Sequence, residues 1–139
     1  MRNLFITSAG LLILSVLLGA FGAHGLEKIL TPALLKTFHT GVHYHQLHAL
    51  GLGMMALYYN QLGSSKTQFP HAAKFILLGI ILFSGNCYLY ALTGFKFFAL
   101  LVPLGGTCFI LGWSWWMKDI FSLSSIPKGL VQEERNGRF

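Results

Sequence analysis

Charge is what this sequence has least of. Only 10% of its 139 residues are Asp, Glu, Lys or Arg, and just four of those are acidic. Soluble domains carry about a quarter charged residues. A chain this short, with 54% hydrophobic residues, cannot cover its apolar mass with polar surface in water. No Asp or Glu falls inside a long apolar run, which argues against a proton-coupled transporter, because such relays commonly use one. Cysteine is nearly absent too. Cys87 and Cys108 lie in separate apolar runs, match no metal-ligand spacing, and read as small apolar fillers. Period-two alternation is missing, which excludes a membrane β-barrel, and there is no internal repeat.

Apolar length is what the chain does have. Four runs stand out, at about Leu4–Ala23, Val42–Leu62, Ala72–Leu92 and Phe97–Met117. Each is about 20 residues, the length a helix needs to cross ~30 Å of hydrocarbon. With no water to satisfy backbone amides there, helices are the expected solution. The fold class expected is therefore an all-α membrane protein with four transmembrane helices, in a domain over residues 1–120. Residues 121–139 form a polar tail on the cytoplasmic side. The first run also resembles a signal peptide, with Arg2 ahead of Leu4–Leu18 and a small-x-small site at Ala20–Gly22. Its length and the need of three further spans for a packing partner favour a retained helix.

The net charge of +6 comes from basic residues at the ends of apolar runs, so it reads as orientation rather than nucleic-acid binding. With four crossings, Arg2, Lys66, Lys74, Lys118, Lys128, Arg135 and Arg138 share one face, and Lys28, Lys36 and Lys96 the other. That bias places both termini in the cytoplasm. In LEKILTPALLKTF, the residues Leu26, Ile29, Leu30, Ala33 and Leu34 recur at helical spacing, and Thr31-Pro32 is a good start signal. A short interfacial helix between the first two spans is expected here. GSSKTQFPH reads as a short turn between spans two and three.

Depth along the spans separates the residues further. On this topology His24, His43, Tyr44, His45, His48, Ser84, Asn86, Tyr88 and Thr107 fall in the outer half of the bundle, and His24, Tyr44, His48, Ser84 and Tyr88 are the pocket candidates among them. So do the small or helix-breaking residues Gly19, Gly22, Gly85, Pro103, Gly105 and Gly106. These, with Gly112, suit close helix packing, and Pro103 is able to free a carbonyl. Trp113, Trp115 and Trp116 ahead of Lys118 read as an aromatic belt at the inner interface. In HTGVHYHQLHAL, ~100° per residue puts His39 and His43 on one face and His45 and His48 on nearly the opposite one. One pair is thus free to face the bundle and the other headgroups or water. His48 lies ~9 Å along the axis from Val42, deep enough to require a hydrogen-bonding partner.

Three readings of His48 with His24 stay open on these residues. They are a structural hydrogen-bond network, a site for a lipid, quinone, haem or metal ion, and a proton or solute path. No metal and no cofactor is assignable from spacing alone. Catalysis is thinly supported, since a Ser–His pair such as Ser84 with His48 has only Glu27 as an outer-side acid.

Four stretches, GAFGAHGL, TGVHYHQLHAL, LFSGNCYLYAL and PLGGTCFILGW, together resemble the domain of unknown function 423 family of small bacterial inner-membrane proteins. The resemblance covers about residues 5–117. It implies a four-span protein of the inner membrane and implies no activity. The family's recurring residues fall at Gly19, Gly22, His24, Tyr44, His48, Ser84, Gly85, Tyr88, Pro103, Gly105, Gly106, Gly112 and Trp113. Asn86-Cys87 departs from the pattern, and His43 and His45 lie outside it. The expected function is a non-enzymatic accessory or ligand-binding protein with a His/Tyr/Ser pocket in the outer half of the bundle. The alternative is a small transporter or channel acting as an oligomer. Expected partners are the lipid bilayer, another membrane protein or a second copy, and a small hydrophobic ligand; no nucleic acid is expected.

Overall fold

A computed structural model describes residues 2–61 and 70–124. All regular structure in them is helical: α1 (Arg2–Phe21), α2 (Pro32–Gln61), α3 (His71–Gly79), α4 (Asn86–Thr93) and α5 (Lys96–Ser124). A π-helical segment, Gly22–Leu26, continues α1, and a second, Ile80–Gly85, joins α3 to α4 in one rod. Among the described residues three helices are long and apolar enough to cross a membrane: Arg2–Leu26, His71–Thr93 and Lys96–Ser122. α2 is not among them, because four histidines and Gln46 dilute its apolar residues. Residues 63–69 of the expected turn and most of the polar tail lie outside the described residues, as do Lys66, Lys128, Arg135 and Arg138.

The interfacial helix expected between the first two spans is not a separate element. Its start signal works as read: Thr31 Oγ1 accepts from the Leu34 amide at 3.4 Å, and Pro32 opens the helix. That helix then continues unbroken to Gln61. Nothing between Lys36 and Val42 stops it. Thr37 and Thr40 turn their hydroxyls back onto the carbonyls of Ala33 and Lys36. Gly41 is used for close approach instead of a break, since a Cβ there would lie 2.9 Å from Cys87 and Tyr88. At the far end α5 runs past Met117 to Ser124, held to α2 by Tyr59, whose hydroxyl donates to Asp119 Oδ2.

α2 is the central helix, with buried residues from Phe38 to Tyr59, packed on α1, on α4 and on the π segment Ile80–Gly85. Two apolar clusters fill the interior. One gathers Leu4, Leu52, Met55, Ala56, Ala72, Ile76, Ile80 and Phe109; the other gathers Leu26, Phe38, Val42 and Ala91. Outside, Ile13, Leu17, Ile81, Phe95, Leu100 and Ile110 are exposed. α1 and α5 bury only 17% of their most apolar windows. An apolar shell of that extent is unstable in water and natural against acyl chains.

Candidate functional site: a polar layer and a groove beside it

Between the two apolar clusters lies a layer of polar side chains. Along α2 the order is Phe38 and Val42, then His45 and His48, then Leu52 and Met55. The antiparallel rod runs Ala72, Ile76 and Ile80, then Ser84, Asn86 and Tyr88, then Ala91. His45 and His48 are both buried, whereas His39 and His43 on the opposite face are exposed. The 3.6-residue period thus sorts the four histidines as their spacing suggested.

Aromatic rings hold His48 in place. Its ring stacks on Phe109 with centroids 3.4 Å apart and planes within 12°, and Trp113 lies 6.1 Å away. Glycines on the facing helices make room for those rings. A Cβ at Gly79 would strike the Phe109 ring, and one at Gly51 would lie 2.8 Å from the Trp113 ring. Tyr44 completes the assembly, 4.5 Å from Phe83 and 5.9 Å from His48. The His48 Nδ1 is 2.8 Å from the Tyr44 carbonyl. A carbonyl only accepts, so Nδ1 carries the hydrogen and Nε2 of the neutral ring is a bare acceptor.

His45 points to a different neighbour. Its Nδ1 lies 3.2 Å from the Tyr88 hydroxyl, and its Nε2 is sealed in the interior without a protein partner. Ser84 is fully buried in the π segment, and its hydroxyl also lacks a partner. Asn86 closes the π segment by donating from Nδ2 to the Leu82 carbonyl at 2.6 Å.

Of the five residues singled out by depth, four share this layer in two groups: Tyr44 with His48, and Ser84 with Tyr88 on the adjoining rod. His24 is set apart. It is exposed in the π-helical turn after α1 and makes no hydrogen bond among the described residues. The packing residues divide as well. A Cβ at Gly105 would sit on the Phe83 backbone nitrogen, at Gly22 2.9 Å from the Phe38 ring, and at Gly112 2.8 Å from Ile76. Gly19 and Gly106 have ordinary clearances of 3.4 Å and 3.9 Å, and Gly85 faces nothing within 4 Å. Pro103 lies within an uninterrupted α5. The Trp belt is also not one surface: Trp113 and Trp116 pack inward, while Trp115 faces out beneath Lys118, whose Nζ is 5.5 Å from its ring. Depth placed His45 and Asn86 in the outer layer without a role in the pocket, and it missed Phe83, Phe109 and Gly79. The spacing Gly105-Phe109-Gly112 (i, i+4, i+7) was the available signal for Phe109.

Beside His48 runs an open groove of ≈ 690 Å³. Tyr44 and Leu47 of α2 form one wall and Phe83 the floor. Pro103, Gly106, Thr107, Ile110 and Trp113 of α5 form the other wall. Leu47 and Ile110 at the rim are exposed, so the groove opens toward the apolar exterior. The Thr107 hydroxyl lies within bonding distance of the Pro103 and Leu104 carbonyls, at 2.9 and 3.0 Å. Its hydrogen is thereby taken up by its own helix.

The model of one family, described as "Protein of unknown function (DUF423)", matches residues 18–106. The chain belongs to this family. It is similar to the UPF0382 membrane protein YwdK of Bacillus subtilis, 43% identical over 104 residues, 73% of this chain and 81% of the relative. The UPF0382 membrane protein SH2409 of Staphylococcus haemolyticus is 34% identical, covering 81% of this chain and 90% of that one. The UPF0382 inner membrane protein YgdD of Escherichia coli K12 is 35% identical, covering 71% and 74%. No solved structure matches the chain. The DUF423 member described here is thus a membrane protein with helical transmembrane segments, and the matched stretch contains the whole polar layer and part of the groove.

Proposed function

We propose that this DUF423 protein is a non-enzymatic, multi-pass protein of the bacterial inner membrane whose groove holds a small hydrophobic ligand. α2 is its fourth span, lying among the three more apolar helices, and both termini face the cytoplasm. The inner-membrane location is supported by the name of the E. coli relative, and the orientation by the Lys and Arg bias. One observation carries the binding reading: an aromatic-floored groove of ligand size opens to the lipid side and presents a buried histidine. Small-molecule sites are typically apolar clefts of about 300–1,000 Å³ with few polar groups. The groove lining holds no carboxylate, and neither of its aliphatic hydroxyls, Thr107 and Ser114, is hydrogen-bonded to His48, which favours binding over catalysis.

The test is retention. Protein extracted in mild detergent and analysed by native mass spectrometry is expected to carry a small apolar compound beyond bulk phospholipid. His48→Ala is expected to lose it. A wild-type protein carrying phospholipid alone, with His48→Ala unchanged in both load and melting temperature, would overturn the reading.

A further inference from the structure

We propose that the groove selects an apolar molecule bearing a ring hydroxyl, of phenol or quinol type, which donates its hydrogen bond to His48 Nε2. This rests on the reading of the groove as a ligand site and names the chemistry of its occupant.

The Tyr44 carbonyl at 2.8 Å requires a hydrogen on His48 Nδ1. In an apolar setting the ring is neutral, because burying an unpaired charge is costly. Nε2 therefore offers a lone pair and no hydrogen. No protein donor reaches it among the described residues. Unlike Nε2 of His45, it is not among the sealed unpartnered atoms, and the ring lines the groove. A buried acceptor of this kind selects for a donor, and a molecule offering only acceptors leaves it unpaired. A hydroxyl is the donor an apolar molecule carries at least desolvation cost.

The rest of the groove fits a flat ring. Phe83, Phe109 and Trp113 present aromatic surface on floor and wall, and rings pair favourably with rings. Gly106 leaves the space above Phe83 open, with its Cβ position 3.9 Å from that ring. The Thr107 oxygen, its hydrogen already turned to the α5 backbone, adds a second acceptor in the same wall. The exposed rim at Leu47 and Ile110 gives an apolar tail a way out into the acyl chains.

The experiment compares a 4-(ω-bromoalkyl)phenol with its methyl ether on the full chain in nanodiscs. Bromine quenching of Trp113 is read in a Trp115→Phe, Trp116→Phe background. The phenol is expected to bind about tenfold more tightly than the ether. His48→Phe should erase that ratio while leaving ether binding in place, and His48→Gln, which keeps an acceptor, should restore part of it. Equal binding of phenol and ether by wild type would overturn the hydroxyl preference and leave the groove reading standing. Quenching by neither, whether the groove is closed or covered by a second copy, would overturn both. Should His48→Phe fail to fold, the wild-type ratio still decides. The ¹⁵N shift of His48 Nε2 is a second measure: it should report an unprotonated nitrogen that moves with phenol and not with ether. A protonated Nε2 in the ligand-free protein would overturn the inference.

Discussion

Glycine has three separate tasks in this bundle, and they differ in what a methyl group would meet. At Gly105 it would meet backbone, the Phe83 nitrogen on the facing rod, which cannot swing aside. At Gly79 and Gly51 it would meet the rings of Phe109 and Trp113, the same rings that bracket His48. At Gly85 it would meet nothing, and the backbone there is ordinary right-handed helix. Gly105→Ala is therefore expected to cost about 2–3 kcal/mol through forced separation of α5 from the π segment. Gly85→Ala is expected to be neutral, or to gain up to about 0.5–1 kcal/mol from reduced freedom of the unfolded chain. Thermal unfolding of the two variants in one detergent checks both, and equal destabilisation would contradict the geometry. In the sequence these two glycines look alike, because both lie in a span at the depth of the polar residues. Which one touches a neighbour depends on how two helices pair, and the spacing within one helix does not contain that. Gly41 and Gly79 escaped notice for the same reason.

Helix existence was legible from apolar run length, because hydrocarbon leaves the backbone little else to form. Two features of the elements were not. The start of α2 at Thr31-Pro32 was readable, but its fusion with the second apolar run was not, since the helical stripe after Leu26 is silent about where a helix stops. The π segments were invisible as well. They carry no composition signal, and Asn86 looked like one more polar residue of the layer and a departure from the family pattern. Its role is local: Nδ2 satisfies the Leu82 carbonyl inside the widened turn. Asn86→Ala is expected to cost about 1 kcal/mol by removing that hydrogen bond from the buried turn. The opening should be confined to the π segment, so hydrogen exchange should speed up at amides 80–90 and stay unchanged at the far end of α5. Uniform acceleration along all helices would mean that Asn86 acts on the whole bundle and not on one turn. The site was partly legible for a related reason. The helical period separated His45 and His48 from His39 and His43 but left open which pair faces the bundle, and depth alone could not tell that His24 turns away from the layer.

At the scale of the molecule, the helix with the most polar residues is also the one most enclosed by protein. α2 carries His45 and His48 inward, where Tyr88, the Tyr44 carbonyl and the aromatic rings of the rod and α5 replace lipid. α1 and α5 give most of their apolar surface to the outside. Under the four-span reading, the cost of placing imidazoles in the membrane is met by the neighbouring helices together with α2's own Tyr44 carbonyl, which takes the His48 Nδ1 hydrogen. That makes a directional prediction about insertion. Presented alone to a translocon, Leu4–Leu26, the rod His71–Thr93 and Lys96–Ser122 are expected to insert. Residues 42–61 are expected to insert only in a minority of chains, because each centrally placed polar residue opposes entry by up to a few kcal/mol. Preceding that segment with α1 should raise its insertion, and His45→Leu with His48→Leu should raise it without α1. Glycosylation acceptor sites placed at either end in microsomes read each outcome. Acceptor sites in the α1–α2 connection should be modified, and sites at the termini should not. Should 42–61 insert alone as well as α1 does, its buried histidines would not depend on helical partners for their place in the bilayer, and the bundle would assemble from four independent spans.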